Sequence, residues 1–139
     1  MLTYTSIINE QSIMQIHIDS RNLNSIISYN ESQLMINDVI YKDSLIVSAH
    51  GILSPWSIHS LQELTEANLM PMIQLNPELI LIGHPHLGQQ PPLLIQEWLS
   101  KQRIGLECMP IGAACRTFNL LLSEGRSCTA GFIFATQKT

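Results

Sequence analysis

Two histidines flank a proline in His84-Pro85-His86, a spacing that can bring two imidazoles to one metal ion. They follow an apolar run, Leu79-Ile80-Leu81-Ile82-Gly83, and loops at the carboxyl ends of parallel strands are where α/β domains bind ligands. No third ligand is evident nearby and Pro85 restricts the loop, so the expected state is a pair of solvent-exposed histidines, with no metal and no cofactor assigned. A second constellation is Gly112-Ala113-Ala114-Cys115-Arg116 at the start of a helix. Its free amides near Gly112 and Ala113, with Arg116 and Arg126, make a candidate anion or carboxylate site, since helix N-termini present unpaired N–H groups and guanidinium matches a carboxylate. A partner's acidic side chain would serve as well as a metabolite. The competing reading is structural: Arg116 pairs with an acidic residue of this chain and Glu124 with Arg126. Arg116 in the first turn and Glu124 in the last stand where the helix dipole disfavours their charges, so each calls for a partner.

Cys115 sits where the dipole and Arg116 both favour a thiolate, yet it falls on the apolar arc of the helix and no base accompanies it. A buried, inert thiol is the expectation there, and for Cys108 and Cys128 in strands. Gly83-His84-Pro85-His86-Leu87-Gly88 holds two glycines but neither the dinucleotide fingerprint nor a phosphate-binding loop. Trp56 reads either as an anchor for a partner or as a ring packed under the strands of the first half. No nucleophile with a visible base emerges, and the catalytic residues expected are none.

The elements that must position these residues are short strands first. Ser12–Ile18 alternates, and Asn24–Tyr29, Gln33–Ile36, Val39–Tyr41 and Ser44–Ser48 follow between Asn/Asp-rich turns, which predicts an antiparallel meander. A short helix is expected between Leu61 and Leu75, opened either by Ser60 with Glu63 or one turn later at Thr65-Glu66, with Pro71 disturbing its limits. Leu79–Gly83 reads as a central strand buried on both faces. Pro91-Pro92 open a helix whose Leu94, Ile95, Trp98 and Leu99 face the sheet. A strand over Leu106–Met109, a helix over Ala113–Glu124 closed by Gly125, and a strand over Cys128–Ala135 complete an alternation that gives mainly parallel sheets. On the last helix Ala114, Cys115, Phe118, Leu121 and Leu122 share one arc, which turns Arg116, Leu120 and Ser123 outward.

These elements occupy a chain of 139 residues, the common size of a single domain, and one domain over residues 1–139 is expected. Apolar residues make up 45% and charged residues 13%, so part of the surface is expected to be an interface. A net charge of −4 with seven scattered Lys and Arg builds no footprint for nucleic acid. The longest apolar run is strand length, too short for a membrane span. The first residues lack the features of a secretion signal, and three cysteines cannot all pair, which points to reduced thiols and a cytoplasmic setting.

Leu106-Glu107-Cys108-Met109, then Gly112-Ala113-Ala114-Cys115-Arg116-Thr117-Phe118-Asn119 and Glu124-Gly125-Arg126, resemble the C-terminal signature of the Mth938-like family, also called DUF498. Ile36-Asn37 with Tyr41, Trp56 after Pro55, and Ile82-Gly83 extend the resemblance over most of residues 13 to 135. It implies an Mth938-like α/β (mixed α+β) fold, a central mixed, largely parallel sheet flanked by helices behind the antiparallel meander. It also implies kinship with mitochondrial assembly factors for respiratory complex I, which act by binding proteins. The chain departs from the pattern at His84-Pro85, where relatives continue with a small residue and glycine, at Pro110-Ile111, where an Asp-Thr pair is common, and at Phe118, a frequent tyrosine. The resemblance therefore does not carry loop chemistry onto those positions.

Two functions follow as expectations. The leading one is a non-enzymatic protein-binding or complex-assembly accessory factor, with Arg116, Leu120 and Arg126 on its contact face and an unidentified protein, or a second copy of itself, as partner. A bacterial chain could keep this fold while serving another complex. The rival is a small-molecule enzyme or sensor that holds an anion in a cleft between Gly83 and the helix at Ala113, with Arg116, His84 and Arg126 lining a deep pocket.

Overall fold

The computed structural model describes residues 23–135, so the strand expected over Ser12–Ile18 lies outside the described residues. Three strands, β1 (Ile26–Asn30), β2 (Gln33–Ile36) and β3 (Val39–Tyr41), form a small antiparallel sheet in chain order, as the Asn/Asp-rich turns require. Leu34 and Ile36 point to the interior while their neighbours face outward, the alternation of a sheet with one wet side. The fourth expected meander strand leaves this sheet. Shortened to β4 (Leu45–Val47), it pairs instead with β5 (Ile52–Leu53) and β8 (Cys128–Phe132). All three residues of β4 are buried, and a strand apolar on both faces belongs inside a sheet covered twice.

The larger sheet has the order β5-β4-β8-β6-β7, with β6 (Leu79–His84) and β7 (Gly105–Pro110). β6 runs parallel to both β7 and β8, and β4 antiparallel to β8, so the sheet is mixed around a parallel centre. Its residues alternate between two cores. Leu45, Val47, Leu81, Ala130 and Phe132 face one layer; Ile46, Ile80, Ile82 and Ile133 face the other.

The first layer is covered by the small sheet and by α3 (Ile111–Ser123), which buries Ile111, Ala114, Cys115, Phe118, Leu121 and Leu122 at helical spacing. Gly125 follows with φ +69°, the left-handed stop expected of it. The second layer is covered by α1 (Glu66–Ile73) and α2 (Leu93–Lys101). Thr65 opens α1 rather than Ser60: its Oγ1 accepts from the Asn68 amide at 3.1 Å, and Asn68 Oδ1 accepts from the Thr65 amide at 2.8 Å. The helix runs through Pro71, forgoing one backbone bond. In α2 the buried stripe is narrow, Ile95 and Leu99 with Trp98 beside them, and Leu94 is 78% exposed instead of facing the sheet.

Trp56 is buried, but in the second layer and not under the small sheet. Its ring lies over Gly131, where a Cβ would come within 2.5 Å of it, and its Nε1 donates to the Asn68 carbonyl at 2.9 Å.

Candidate functional site

Parallel β6 and β7 end side by side, with His84 in register with Pro110, and α3 begins at the next residue. The two departures from the family pattern, His84-Pro85 and Pro110-Ile111, are therefore neighbours in space. Pro110 supplies a preset φ of −56° as N-cap, so α3 starts two residues before the expected Ala113. Arg116 consequently stands in the second turn, not the first.

Gly83 is not a loop residue. It is buried in β6, and a Cβ there would lie 2.8 Å from both the Ala114 Cβ and the Phe132 ring. Its role is to let α3 settle onto the sheet. Gly112 has a similar part at the surface, where a Cβ would meet the Tyr29 ring at 2.9 Å. Ala113 follows in the first turn, half-buried.

His84 closes β6 and is 7% exposed, against the expectation of a solvent-facing histidine. The strand continues one residue past Gly83, and this carries the imidazole inward. Its Nδ1 accepts from the His86 amide at 3.3 Å, which assigns the ring proton to Nε2. Burial, reinforced by His86, holds the His84 pKa below the ordinary imidazole value, so the ring is neutral at pH 7. Among the described residues no group of three or more His, Cys, Asp or Glu gathers as a metal would require.

Arg116 is exposed on the outer face of α3, as its helical position predicts. Among the described residues its partner is not acidic: Nη1 donates to the Tyr29 hydroxyl at 2.8 Å. Arg126 does not join this group. It donates from Nη2 to Glu78 Oε1 at 3.3 Å rather than pairing with Glu124. Glu78 precedes β6, so Arg126 lies at the opposite end of the strands from His84, and the 13 residues of α3 between them span roughly 20 Å. Both partners are more than half exposed, and such a pair adds little stability.

The structure thus gathers Gly112 and His84 around one small cavity and leaves Arg116 at its margin. The cavity, about 230 Å³, is lined by Tyr29, Glu31, His84, Leu87, Ile111 and Gly112 among others, and by neither arginine. It is not the deep arginine-lined pocket that the enzyme reading requires.

Sequence reasoning missed the residues of β1 that complete this region. Asn119 braces the edge that β1 leaves open among the described residues: its Oδ1 accepts from the Ile26 amide and its Nδ2 donates to the Ile26 carbonyl, both at 2.9 Å. The side chain therefore substitutes for a neighbouring strand. Replacing Asn119 with Ala strands both backbone groups, with an expected loss of about 1–3 kcal/mol. Urea unfolding measures the loss, and faster amide exchange at Ile26 would locate it. Beside this brace, Ile27, Tyr29 and Leu120 are 60%, 43% and 57% exposed. Helical periodicity marks Leu120, but no periodic signal in β1 marks Ile27 or Tyr29.

Cys115 and Cys128 are buried, as expected of them, and Cys108 is only half-buried. Burial pushes Cys115 up to about 12, although the Arg116 guanidinium acts in the opposite direction. Burial likewise raises Cys108 and Cys128 to about 11. At pH 8 iodoacetamide is expected to leave Cys115 and Cys128 unmodified in the native protein and to label them in urea, as followed by mass spectrometry. Above about pH 9 the unfolded thiols ionise while the folded ones stay protonated, so the fold loses stability as pH rises toward 11 and 12.

Residues 26–133 match the model of a family described as a protein of unknown function (DUF498/DUF598). A Francisella tularensis protein named 13 kDa major membrane protein is 32% identical over 100 residues, which cover 71% of this chain and 81% of that one. A Drosophila melanogaster protein named NADH dehydrogenase (ubiquinone) 1 alpha subcomplex assembly factor 3 is 30% identical over 104 residues, 70% of this chain and 51% of that protein. The match thus spans about half the length of the Drosophila relative. Among solved structures, a Xanthomonas campestris protein superposes with TM-score 0.75 at 29% identity, covering 83% of this chain and 87% of its own. A Bordetella pertussis Mth938-like domain, 21% identical, superposes with TM-score 0.67 over 86% of this chain and 92% of its own, and shows the shared fold.

Proposed function

Since the chain belongs to the DUF498/DUF598 family and has the Mth938-like fold, we propose that it is a non-enzymatic protein-binding or complex-assembly accessory factor whose contact face is the seam between β1 and α3. The observation that carries this reading is the exposure, among the described residues, of Tyr29 and Leu120 on either side of Arg116. Tyrosine and arginine beside aliphatic side chains are the residue types that dominate binding energy at protein interfaces. Arg116 and Leu120 are one helical turn apart and present one surface. The hydrogen bond to Tyr29 holds the guanidinium in place, which lowers the entropy lost on docking.

The name of the Drosophila relative supports an assembly role, and its application to this chain is part of the proposal. Arg126, on the far side of α3, drops out of the contact face. One domain over residues 1–139, working in the cytoplasm with reduced thiols, is the setting we propose. Among the described residues no helix is long and apolar enough to cross a membrane.

Affinity capture from the native cell's lysate tests the reading with three baits of verified fold: the wild type, an Arg116→Ala/Leu120→Asp variant, and Arg126→Ala. The expected result is a defined set of proteins retained by the wild type and by Arg126→Ala but lost from the seam variant. Light scattering on the purified chains recognises a second copy as the partner, if the seam variant is smaller than the wild type. Equal capture by all three baits, with no change of mass, would sink the assignment of the face.

A further inference from the structure

The cavity at the ends of β6 and β7 adjoins the seam surface, sharing Tyr29 with it, and carries an inference of its own: we propose that it binds a small aliphatic monocarboxylate. Three kinds of donor surround it. His84 is 7% exposed, and its Nε2–H has no hydrogen-bond partner among the described residues, Nδ1 being engaged by the His86 amide. Nε2 is not itself sealed from solvent, so it is free to donate to an oxygen that enters the cavity. Gly112 stands in the first turn of α3, where amides have no acceptor within the helix; Pro110 offers no capping side chain and the first turn contains no acidic residue. The Tyr29 hydroxyl accepts from Arg116, which leaves its own proton free and makes it a stronger donor.

Converging donors at a helix N-terminus call for an anion, and the walls decide which one. Among the described residues no cationic side chain lines the cavity, and Glu31 does. A phosphate dianion would meet that carboxylate with twice the repulsion of a singly charged ligand, without a compensating charge. Of the remaining walls Asn30 is polar, while Pro85, Leu87, Pro110 and Ile111 are apolar and suit a short hydrocarbon chain. About 230 Å³ is below the usual range for drug-sized ligands and leaves no room for a nucleotide.

Nuclear magnetic resonance of the full chain titrated with butyrate tests the site, with butyramide and inorganic phosphate as controls. Butyrate is expected to move the Gly112 amide and the His84 ring nitrogens in a saturable manner, and neither control should do so. Tyr29→Phe keeps the ring over Gly112 and removes only the hydroxyl, so it is expected to weaken butyrate about tenfold with the fold intact. His84→Gln should weaken it as well, and Tyr29→Phe keeps the test decisive if that buried change fails to fold. The proposal is overturned if butyrate leaves Gly112 and His84 unmoved, if butyramide or phosphate binds as well, or if Tyr29→Phe binds butyrate like the wild type.

Discussion

Trp56→Ala is expected to lower the free energy of unfolding by about 3–5 kcal/mol, a large part of what a domain of this size possesses. The ring is 4% exposed and lies among Ile58, Leu61, Leu69 and Ile133, against a strand that keeps glycine at position 131 to admit it. Removing it opens a void in the second layer, and the Asn68 carbonyl loses its donor. Trp56→Phe separates the two effects: it restores much of the packing but not the hydrogen bond, with an expected loss of about 1–2 kcal/mol. Urea denaturation followed by circular dichroism measures both. A loss below about 1 kcal/mol for the alanine variant would mean that the ring is not part of the core, and would revive its reading as an anchor for a partner.

Gly83→Ala should cost about 3 kcal/mol, the upper part of the range for overpacked cores. The added methyl would stand 2.8 Å from the Ala114 Cβ on one helix and 2.8 Å from the Phe132 ring on the neighbouring strand. Both neighbours are fully buried, so neither has open space to move into. Adding Ala114→Gly removes one of the two clashes and should recover part of the loss, a coupling expected only of residues in contact. Thermal unfolding of the two single variants and the double variant tests this. A stable Gly83→Ala protein would return this glycine to the role of a flexible ligand loop.

The contrast between Gly83 and Arg116 shows what was legible in the sequence. Helical periodicity placed Ala114, Cys115 and Phe118 inward and Arg116 and Leu120 outward, and Gly125 marked the stop, because these are properties of a single helix. The strands Gln33–Ile36 and Val39–Tyr41 were equally legible from their turns. What failed was information shared between distant segments. Ser44–Ser48 has the local pattern of a fourth meander strand, and its partner β8 lies more than eighty residues further on. Arg116 meets Tyr29 across 87 positions, and Arg126 meets Glu78 across 48, so neither partner is visible in the neighbouring sequence. His84 was misjudged for a local reason. A polar residue after an apolar run reads as the first loop residue, whereas the register with β7 continues through it.

The same non-local docking creates the surface on which the functional proposal rests. Asn119 holds the edge of β1 against α3, where Tyr29 meets Arg116. The candidate face is thus built from two segments far apart in the chain, and its integrity depends on that brace.

Site-specific photo-crosslinking in the native cell tests the central claim most directly, with a benzophenone amino acid placed at Leu120 in one variant and at Arg126 in another. The seam reading expects a discrete crosslinked species from position 120 that is absent from position 126 and disappears when Arg116→Ala is added. Crosslinks of equal yield from both positions, or from position 126 alone, would contradict it.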